Sequence, residues 1–111
     1  MPRKKKLCPK IHKELVFNGK YKDFKDFYDI NKETIFKSIV QVFEGFKTEE
    51  PDTSLSLKIE ARIKGLEWDT KFDFKKDEAI VLVRDIMPYF VEVEDYEYCR
   101  QIHNLHKDLT T

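Results

Sequence analysis

Residues 55–74 read LSLKIEARIKGLEWDTKFDF, and this stretch decides the fold. Apolar and polar residues alternate on both sides of a central Lys-Gly pair. If that pair forms a two-residue turn, Leu57 opposes Phe72 and every apolar side chain of both runs falls on one face. The sequence therefore predicts a β-hairpin with strands at 55–63 and 66–74.

The polar face of this hairpin carries a cluster of charges. Glu60 opposes Asp69 in the predicted register, and Lys71 follows two residues later. Two carboxylates and a lysine can hold a divalent metal and activate a water molecule. Together with Asp52, the pattern resembles nucleases of the PD-(D/E)xK type, and the resemblance implies metal-dependent cutting of nucleic acid. Alternating charges are also typical of a plain solvated strand face.

Residues 31–47 have the strongest helical pattern of the chain. Asn31 is the predicted N-cap. At about 100° per residue the apolar side chains cover one face of a helix, and polar side chains take the other. The apolar face consists of Ile35, Phe36, Ile39, Val40, Val42, Phe43 and Phe46. We therefore predict an α+β fold, in which a long amphipathic helix packs on a small antiparallel sheet.

The segments outside the hairpin and the long helix do not have one clear strand or helix periodicity. An Asn-Gly pair at 18–19 between apolar residues is typical of a hairpin turn. The aromatic residues of 21–28 have helical spacing, so a short helix competes with a second strand there. Residues 77–87 predict a helix that breaks or kinks at Pro88, with a second hairpin as the alternative. Residues 95–108 predict a C-terminal helical segment.

Residues 21–47 also resemble a helix-turn-helix motif of DNA-binding proteins. The turn would lie at Asp29-Ile30, with Thr34 near the start of the recognition helix. The chain departs from the motif at Lys25, where a small buried residue is usual, and in the aromatic residues of the second helix. A large apolar stripe favours a core helix over a DNA-reading surface.

Both cysteines are followed four residues later by a histidine. Cys8 precedes His12, and Cys99 precedes His103. Two thiolates and two imidazoles are the ligand set of a tetrahedral structural zinc site. We therefore predict one zinc ion that joins the N-terminal arm to the C-terminal segment, with His106 as a spare ligand. Two ordinary reduced cysteines and a Cys8–Cys99 disulfide are the alternatives.

The net charge of zero hides an uneven distribution of charge. Residues 1–25 carry nine Lys or Arg against two Asp or Glu, which gives +7, and the remainder carries 12 against 19, which gives −7. We assign residues 1–13 to a basic arm and residues 14–111 to one small domain. The basic cluster of the arm is Arg3, Lys4, Lys5 and Lys6. It predicts contact with phosphates, and a nucleic-acid-associated protein is therefore the alternative function.

The sequence favours a binding protein over an enzyme. It has no Gly-rich phosphate loop and no recognisable nucleophile motif, so we expect a non-enzymatic protein that docks to another protein or to itself. Fifteen aromatic residues exceed what a core of this size needs, which indicates an exposed contact surface. The predicted contact residues are Tyr21, Tyr28, Tyr89, Tyr96 and Tyr98. Half-burial of these rings at the core margin is the alternative.

Composition also indicates where the protein works. No apolar run is long enough to span a membrane, and the first residues lack the hydrophobic stretch of a secretory signal, so we expect a cytoplasmic protein. Alanine occurs only at positions 61 and 79, while Lys, Phe, Asp and Ile are frequent. That bias is typical of AT-rich genomes and predicts a low-GC bacterium, a phage or another mobile element as the source. A phage source would place the protein in the host cytoplasm or the virion.

Overall fold

A computed structural model describes residues 10–49 and 52–111, which form a three-stranded sheet with helices on one face. The elements in chain order are β1 (Lys10–Val16), α1 (Phe24–Glu44), a 3₁₀ turn (Gly45–Lys47), β2 (Ser54–Ile63), β3 (Leu66–Lys75), α2 (Lys76–Glu92) and α3 (Tyr96–Thr110). The strand order is β1-β2-β3, with β1 parallel and β3 antiparallel to β2. The predicted α+β architecture is confirmed. β1 includes residues 10–13, the last part of the segment assigned to the arm.

The hairpin of β2 and β3 has the predicted register. Its pairs run without interruption from Ser54 opposite Lys75 to Ile63 opposite Leu66. The two turn residues at 64–65 have φ values of 58° and 76°. A type I′ turn requires positive φ at both central positions, and its twist matches that of the flanking strands. The turn and the strand pattern therefore specify the same pairing.

The core lies between the apolar face of the sheet and the helices. Leu55 and Leu57 of β2 are fully buried, as are Phe43 of α1 and Phe90 of α2. Phe43 contacts Phe74 of β3 edge to face, with ring centroids 5.1 Å apart. α3 closes the core with Ile102, Leu105 and Leu109. All three helices thus contribute buried side chains to one core.

α1 begins earlier than predicted. Asp23 caps the helix by accepting a hydrogen bond from the N–H of Asp26 at 2.8 Å, so the helix starts directly after it. Asn31, the predicted cap, lies inside the helix and donates its amide to the carbonyl one turn earlier at 3.0 Å. The helix-turn-helix interpretation is wrong, because the predicted turn at 29–30 is helical.

The Asn-Gly pair at 18–19 does not form the predicted hairpin turn. β1 pairs in parallel with β2 instead, and the N–H of Phe17 donates to the carbonyl of Glu60 at 2.9 Å. Tyr21 then makes an isolated parallel bridge to Ile63 before the chain enters α1. β2 is a long, buried strand and pairs with β1 over several residues. The few residues after the Asn-Gly pair lead into α1 at Phe24, so they are too short to form a second hairpin strand.

α2 continues through Pro88 to Glu92 and does not end at Met87 as predicted. Proline has no N–H, so the carbonyl of Arg84 loses its usual helical partner, and a proline inside a helix costs about 3 kcal/mol. Phe90 lies just beyond it and is fully buried. Burying a phenylalanine side chain stabilises by roughly 1.5–3 kcal/mol, which offsets most of that cost.

α3 confirms the predicted C-terminal helix and extends it to Thr110. Asp95 caps this helix by accepting a hydrogen bond from the N–H of Tyr98 at 3.2 Å. None of the helices in residues 10–49 and 52–111 combines the length and the apolar character needed to cross a bilayer.

Replacement of Lys64 by Asn should stabilise the protein, because Asn adopts the left-handed backbone conformation at a lower cost than Lys. We expect the free energy of unfolding to rise by about 1 kcal/mol in urea denaturation. Gly65→Ala is the matched comparison. A Cβ at that position meets nothing within 4 Å, so its expected destabilisation comes from backbone strain alone. Unchanged stability of both variants would contradict the type I′ turn.

Candidate functional site

Tyr28 and Tyr89, two of the predicted contact tyrosines, line the same groove between α1 and α2. The groove has a volume of about 760 Å³. Its aromatic and aliphatic lining consists mainly of Tyr28, Phe36, Met87, Tyr89 and Val91, with Lys32 among them. We call this surface the Tyr28–Tyr89 groove.

The α1 wall of the groove follows from helical spacing. Tyr28, Lys32 and Phe36 are four residues apart and therefore form one stripe along the helix. The ring of Phe36 meets Tyr28 edge to face at 6.2 Å and Tyr89 at 5.3 Å between centroids. Phe36 thus connects the two tyrosines across the helix pair and fixes the width of the groove.

A lysine lies over both tyrosine rings. The Nζ atom of Lys32 is 6.0 Å from the ring centroid of Tyr28 and 5.5 Å from that of Tyr89. These distances are within the range of cation–π attraction. The hydroxyl of Tyr89 donates to Glu33 Oε1 at 3.1 Å, and burial together with the charge of Glu33 raises the pKa of Tyr89. The rings are held in place, while their outer surfaces face solvent.

The groove is open and carries charges of both signs at its rim. Tyr28 is 40% exposed and Val91 is 48% exposed. Arg84 and Glu92 also line the groove, and both side chains are exposed. The groove is lined by two cations, Lys32 and Arg84, and by one carboxylate, Glu92. An apolar trough with this excess of positive charge is suited to a ligand that is both apolar and acidic.

The other three predicted contact tyrosines lie elsewhere. Tyr21 is half-buried and contacts Phe27 edge to face at 5.0 Å. Tyr98 is also half-buried, with its ring 4.5 Å from that of Phe90. Half-burial at the core margin, the alternative interpretation, describes these two. Tyr96 is 63% exposed at the start of α3 and does not line the groove.

Sequence reasoning assigned seven of the groove residues to no contact surface: Lys32, Phe36, Arg84, Met87, Pro88, Val91 and Glu92. Phe36 had been assigned wholly to the core stripe of α1, yet it is only half-buried and faces the groove. The available signal was the four-residue spacing of Tyr28, Lys32 and Phe36, which becomes visible once α1 is known to begin before Tyr28. Which residues of α2 lie beside this stripe depends on tertiary packing, so the sequence does not show it.

Comparison of the chain with known protein families, with characterised proteins and with solved structures finds no match. The function therefore has to be inferred from the geometry and chemistry of the molecule itself.

The predicted zinc ligands are only partly described. Cys8 lies outside the described residues, as does the side chain of His12. Cys99 is half-buried against the core, and His103 is exposed one turn later on α3. His106 is half-buried, and its Nε2 atom has no hydrogen-bond partner in the part of the chain that the structure describes. No three His, Cys, Asp or Glu side chains of that part are grouped to hold a metal, so the zinc site stays a prediction about the arm.

The two nuclease-like carboxylates oppose each other, and one of them, Glu60, is engaged in an ion pair with a neighbouring lysine. Glu60 opposes Asp69 as predicted. Lys58 forms an ion pair with Glu60 at 3.2 Å, and that contact raises the pKa of Lys58. Asp52 precedes Ser54, the first residue of β2, and six further residues at roughly 3.3 Å each separate Ser54 from Glu60. Asp52 is thus at the other end of the strand from this pair.

The basic cluster of the arm, Arg3, Lys4, Lys5 and Lys6, lies outside the described residues. Its contact with phosphates stays a prediction from charge alone.

The phenol of Tyr98 should ionise at an unusually high pH. Burial, followed by the negative charges of Glu44 and Asp95, raises the pKa of Tyr98 from 10.0 to about 12. Between pH 10 and 12 the phenol of Tyr98 keeps its proton in the folded protein and loses it in the unfolded chain. Its contribution to the free energy of unfolding is therefore complete below pH 10 and is lost as the pH rises through 12. In a spectroscopic tyrosinate titration, Tyr98→Phe should remove the latest step. Tyr96→Phe is the control and should leave that step in place, and its loss there would contradict the assignment.

The predicted zinc site can be tested by measuring the mass of the native protein. Native mass spectrometry of protein purified without chelator should show one bound zinc ion, lost on adding a strong chelator or in Cys99→Ser, because each removes the ion or one of its four ligands. Glu97→Gln changes an exposed residue of the same helix and should retain the metal. A metal-free wild-type protein with free thiols would contradict the zinc site.

Proposed function

We propose that this protein acts without catalysis, by docking a segment of another protein into the Tyr28–Tyr89 groove. The observation that carries the proposal is the partly exposed aromatic surface formed by Tyr28, Phe36 and Tyr89 around the ammonium group of Lys32. Aromatic and methionine side chains are enriched in protein interfaces, and tyrosines often supply a large part of the binding energy.

The shape of the groove favours a helical partner segment. Its walls run along two helices, and the stripe from Tyr28 to Phe36 covers nine residues, about 12 Å of helix. A groove of this kind accepts the apolar face of an amphipathic helix, whose side chains at i, i+3, i+4 and i+7 fill it. The aromatic rings would contact those apolar side chains.

The charges of the groove favour an acidic partner. Lys32 already neutralises part of the negative ring faces, and Arg84 leaves a positive charge at the rim. Glu92 is eight residues from Arg84, roughly 12 Å along α2. A carboxylate of the partner helix would pair with Arg84, and a basic residue two turns away would face Glu92, which sets the direction of the bound helix.

A second candidate function is nucleic-acid association through the basic arm. The charge of +7 in residues 1–25 favours it. Binding of this kind weakens steeply as salt is added, because it depends on release of counterions, and it would be lost on deletion of residues 1–9. Docking in the groove depends mainly on apolar contact and would survive both changes.

The docking proposal can be tested with two synthetic amphipathic helical peptides that share one apolar face. One carries Glu beside that face, and the other carries Lys at the same positions. We expect the acidic peptide to bind more tightly in fluorescence anisotropy, and to shift the amide NMR signals of groove residues. Tyr28→Ala should weaken its binding by about tenfold or more, since an aromatic contact at the centre of the interface is lost.

Tyr96→Ala is the matched control, because it removes an exposed tyrosine outside the groove and should leave the affinity unchanged. Equal losses in the Tyr28 and Tyr96 variants, or NMR shifts spread over the whole surface, would show nonspecific contact and overturn the proposal. Tighter binding of the basic peptide would overturn its charge preference.

A further inference from the structure

β3 presents an unpaired edge. It pairs with β2 along its whole length, and no other strand within residues 10–49 and 52–111 pairs with its opposite edge. Ile63 and Leu66 flank a two-residue turn, so their pair is hydrogen-bonded, and alternate residues of β3 from Leu66 onward direct their backbone groups toward β2. The backbone groups of the residues between them, including Lys71 and Asp73, therefore point outward. Such an edge is a template for another strand.

The outer charges of β3 are self-complementary. Asp69, Lys71, Asp73 and Lys75 alternate in sign along the solvent-exposed face. An antiparallel copy of the strand related by a two-fold axis at Phe72 places Asp69 opposite Lys75 and Lys71 opposite Asp73, in both directions. All four cross-strand pairs then have opposite charges, which is favourable at directly opposed positions.

Neighbouring registers lack this property. An axis at Lys71 or at Asp73 sets that residue opposite its own copy, so two like charges meet. An axis at Thr70 sets Glu67 opposite Asp73. Like charges directly opposed across a sheet are destabilising. An axis at Phe74 leaves only residues 73–75 to pair, because α2 begins at Lys76. Among registers that pair most of β3, the axis at Phe72 is therefore the one without a like-charge pair in the strand.

The backbone hydrogen bonds of this pairing are centred on the same residues. Lys71 and Asp73 each offer one N–H and one carbonyl, so two copies can form four hydrogen bonds between them. Lys75 adds none through its N–H, which already donates to Glu78 Oε1 at 2.8 Å as α2 begins. The shared ladder is short, and side-chain contacts must supply the rest of the stability.

Exposed apolar side chains lie where those contacts would form. Phe72 is 44% exposed and would meet its own copy at the axis. Val81 and Leu82 of α2 are exposed beside a groove of about 500 Å³ that Phe74 also lines. In the register centred on Phe72, the hairpin tip of the second copy, with its 71% exposed Leu66, falls beside the first turn of α2. Glu67 of that tip comes level with Asp77, so this end of the interface adds no favourable charge pair. The pairing thus covers Phe72 of both copies and brings Leu66 of each copy toward α2 of the other.

We propose that two copies of this chain associate through their β3 strands, in antiparallel register about Phe72, into a continuous six-stranded sheet. This interface shares no residue with the Tyr28–Tyr89 groove. Docking in the groove is a property of each copy, so either proposal can fail without the other.

Charge reversal tests the pairing. Sedimentation analysis of the wild-type full chain should show a concentration-dependent dimer. Lys71→Asp puts two Asp side chains opposite each other in each pair, and Asp73→Lys puts two Lys side chains there, so each variant alone should dimerise at least about tenfold more weakly. Mixing the two variants makes both pairs complementary again, and a heterodimer should form with near wild-type affinity.

Recovery in the mixture cannot come from improved folding, since each chain is unchanged by mixing. Lys107→Glu, a charge reversal on α3, is the control and should dimerise like the wild type. Asp73 also accepts a hydrogen bond from the buried hydroxyl of Ser56, so circular dichroism must first show that Asp73→Lys is folded. A wild-type chain that stays monomeric at all concentrations, or two folded variants that stay monomeric when mixed, would overturn the proposal.

A cysteine at the axis tests the register. In a Cys8→Ser and Cys99→Ser background, Phe72→Cys places two thiols opposite each other at a non-hydrogen-bonded pair, where strands approach most closely, and mild oxidation should link the copies. Thr70→Cys lies on the same face, but its counterpart across the axis is Phe74, so it should link far less. Equal linking of both variants, or none of either, would overturn the register.

Discussion

The pairing of β2 with β3 is the constraint on which the rest of the structure depends. Lys64 and Gly65 hold a two-residue turn, and a shift of one residue would move Leu55 and Leu57 from the core to solvent. α1 packs on the face that this register makes apolar. α2 starts at Lys76, directly after β3, so its position beside α1 follows from the strand that precedes it. The Tyr28–Tyr89 groove between the two helices is thus a consequence of the hairpin.

Sequence patterns predicted those parts of the fold in which local and tertiary preferences agree. Alternation and turn chemistry both specified the hairpin, and the apolar stripe specified the central part of α1. The start of α1 was misplaced because Asp23 and Asn31 are both good caps, and only the aromatic packing of Phe27 in the core decides between them. Pro88 was assigned as a break because proline disrupts a helix interior and residues 89–94 alternate like a strand, although Phe90 also fits the apolar face of a helix. The full burial of Phe90 decides for the helix.

The candidate site was predictable only in part. The excess of aromatic residues predicted a contact surface, and two of the predicted tyrosines, Tyr28 and Tyr89, line one groove. Their pairing with Phe36 and Lys32 depends on how α1 and α2 lie side by side, which no pattern within a single helix reports. Tyr98 is a tyrosine like the two groove residues, but it is half-buried against Phe90. Residue type alone therefore could not separate tyrosines of a contact surface from tyrosines at the core margin.

The parallel pairing of β1 with β2 determines the order in which the molecule gains and loses structure. The hairpin joins residues close in the chain, such as Ile63 and Leu66, whereas β1 joins Lys10 to Leu55 across the whole of α1. The entropy lost on closing that long loop is recovered only after α1 has formed and packed on the sheet. We therefore expect β1 to be the last strand to add during folding and the first to detach by local opening, while the hairpin persists as the cooperative centre.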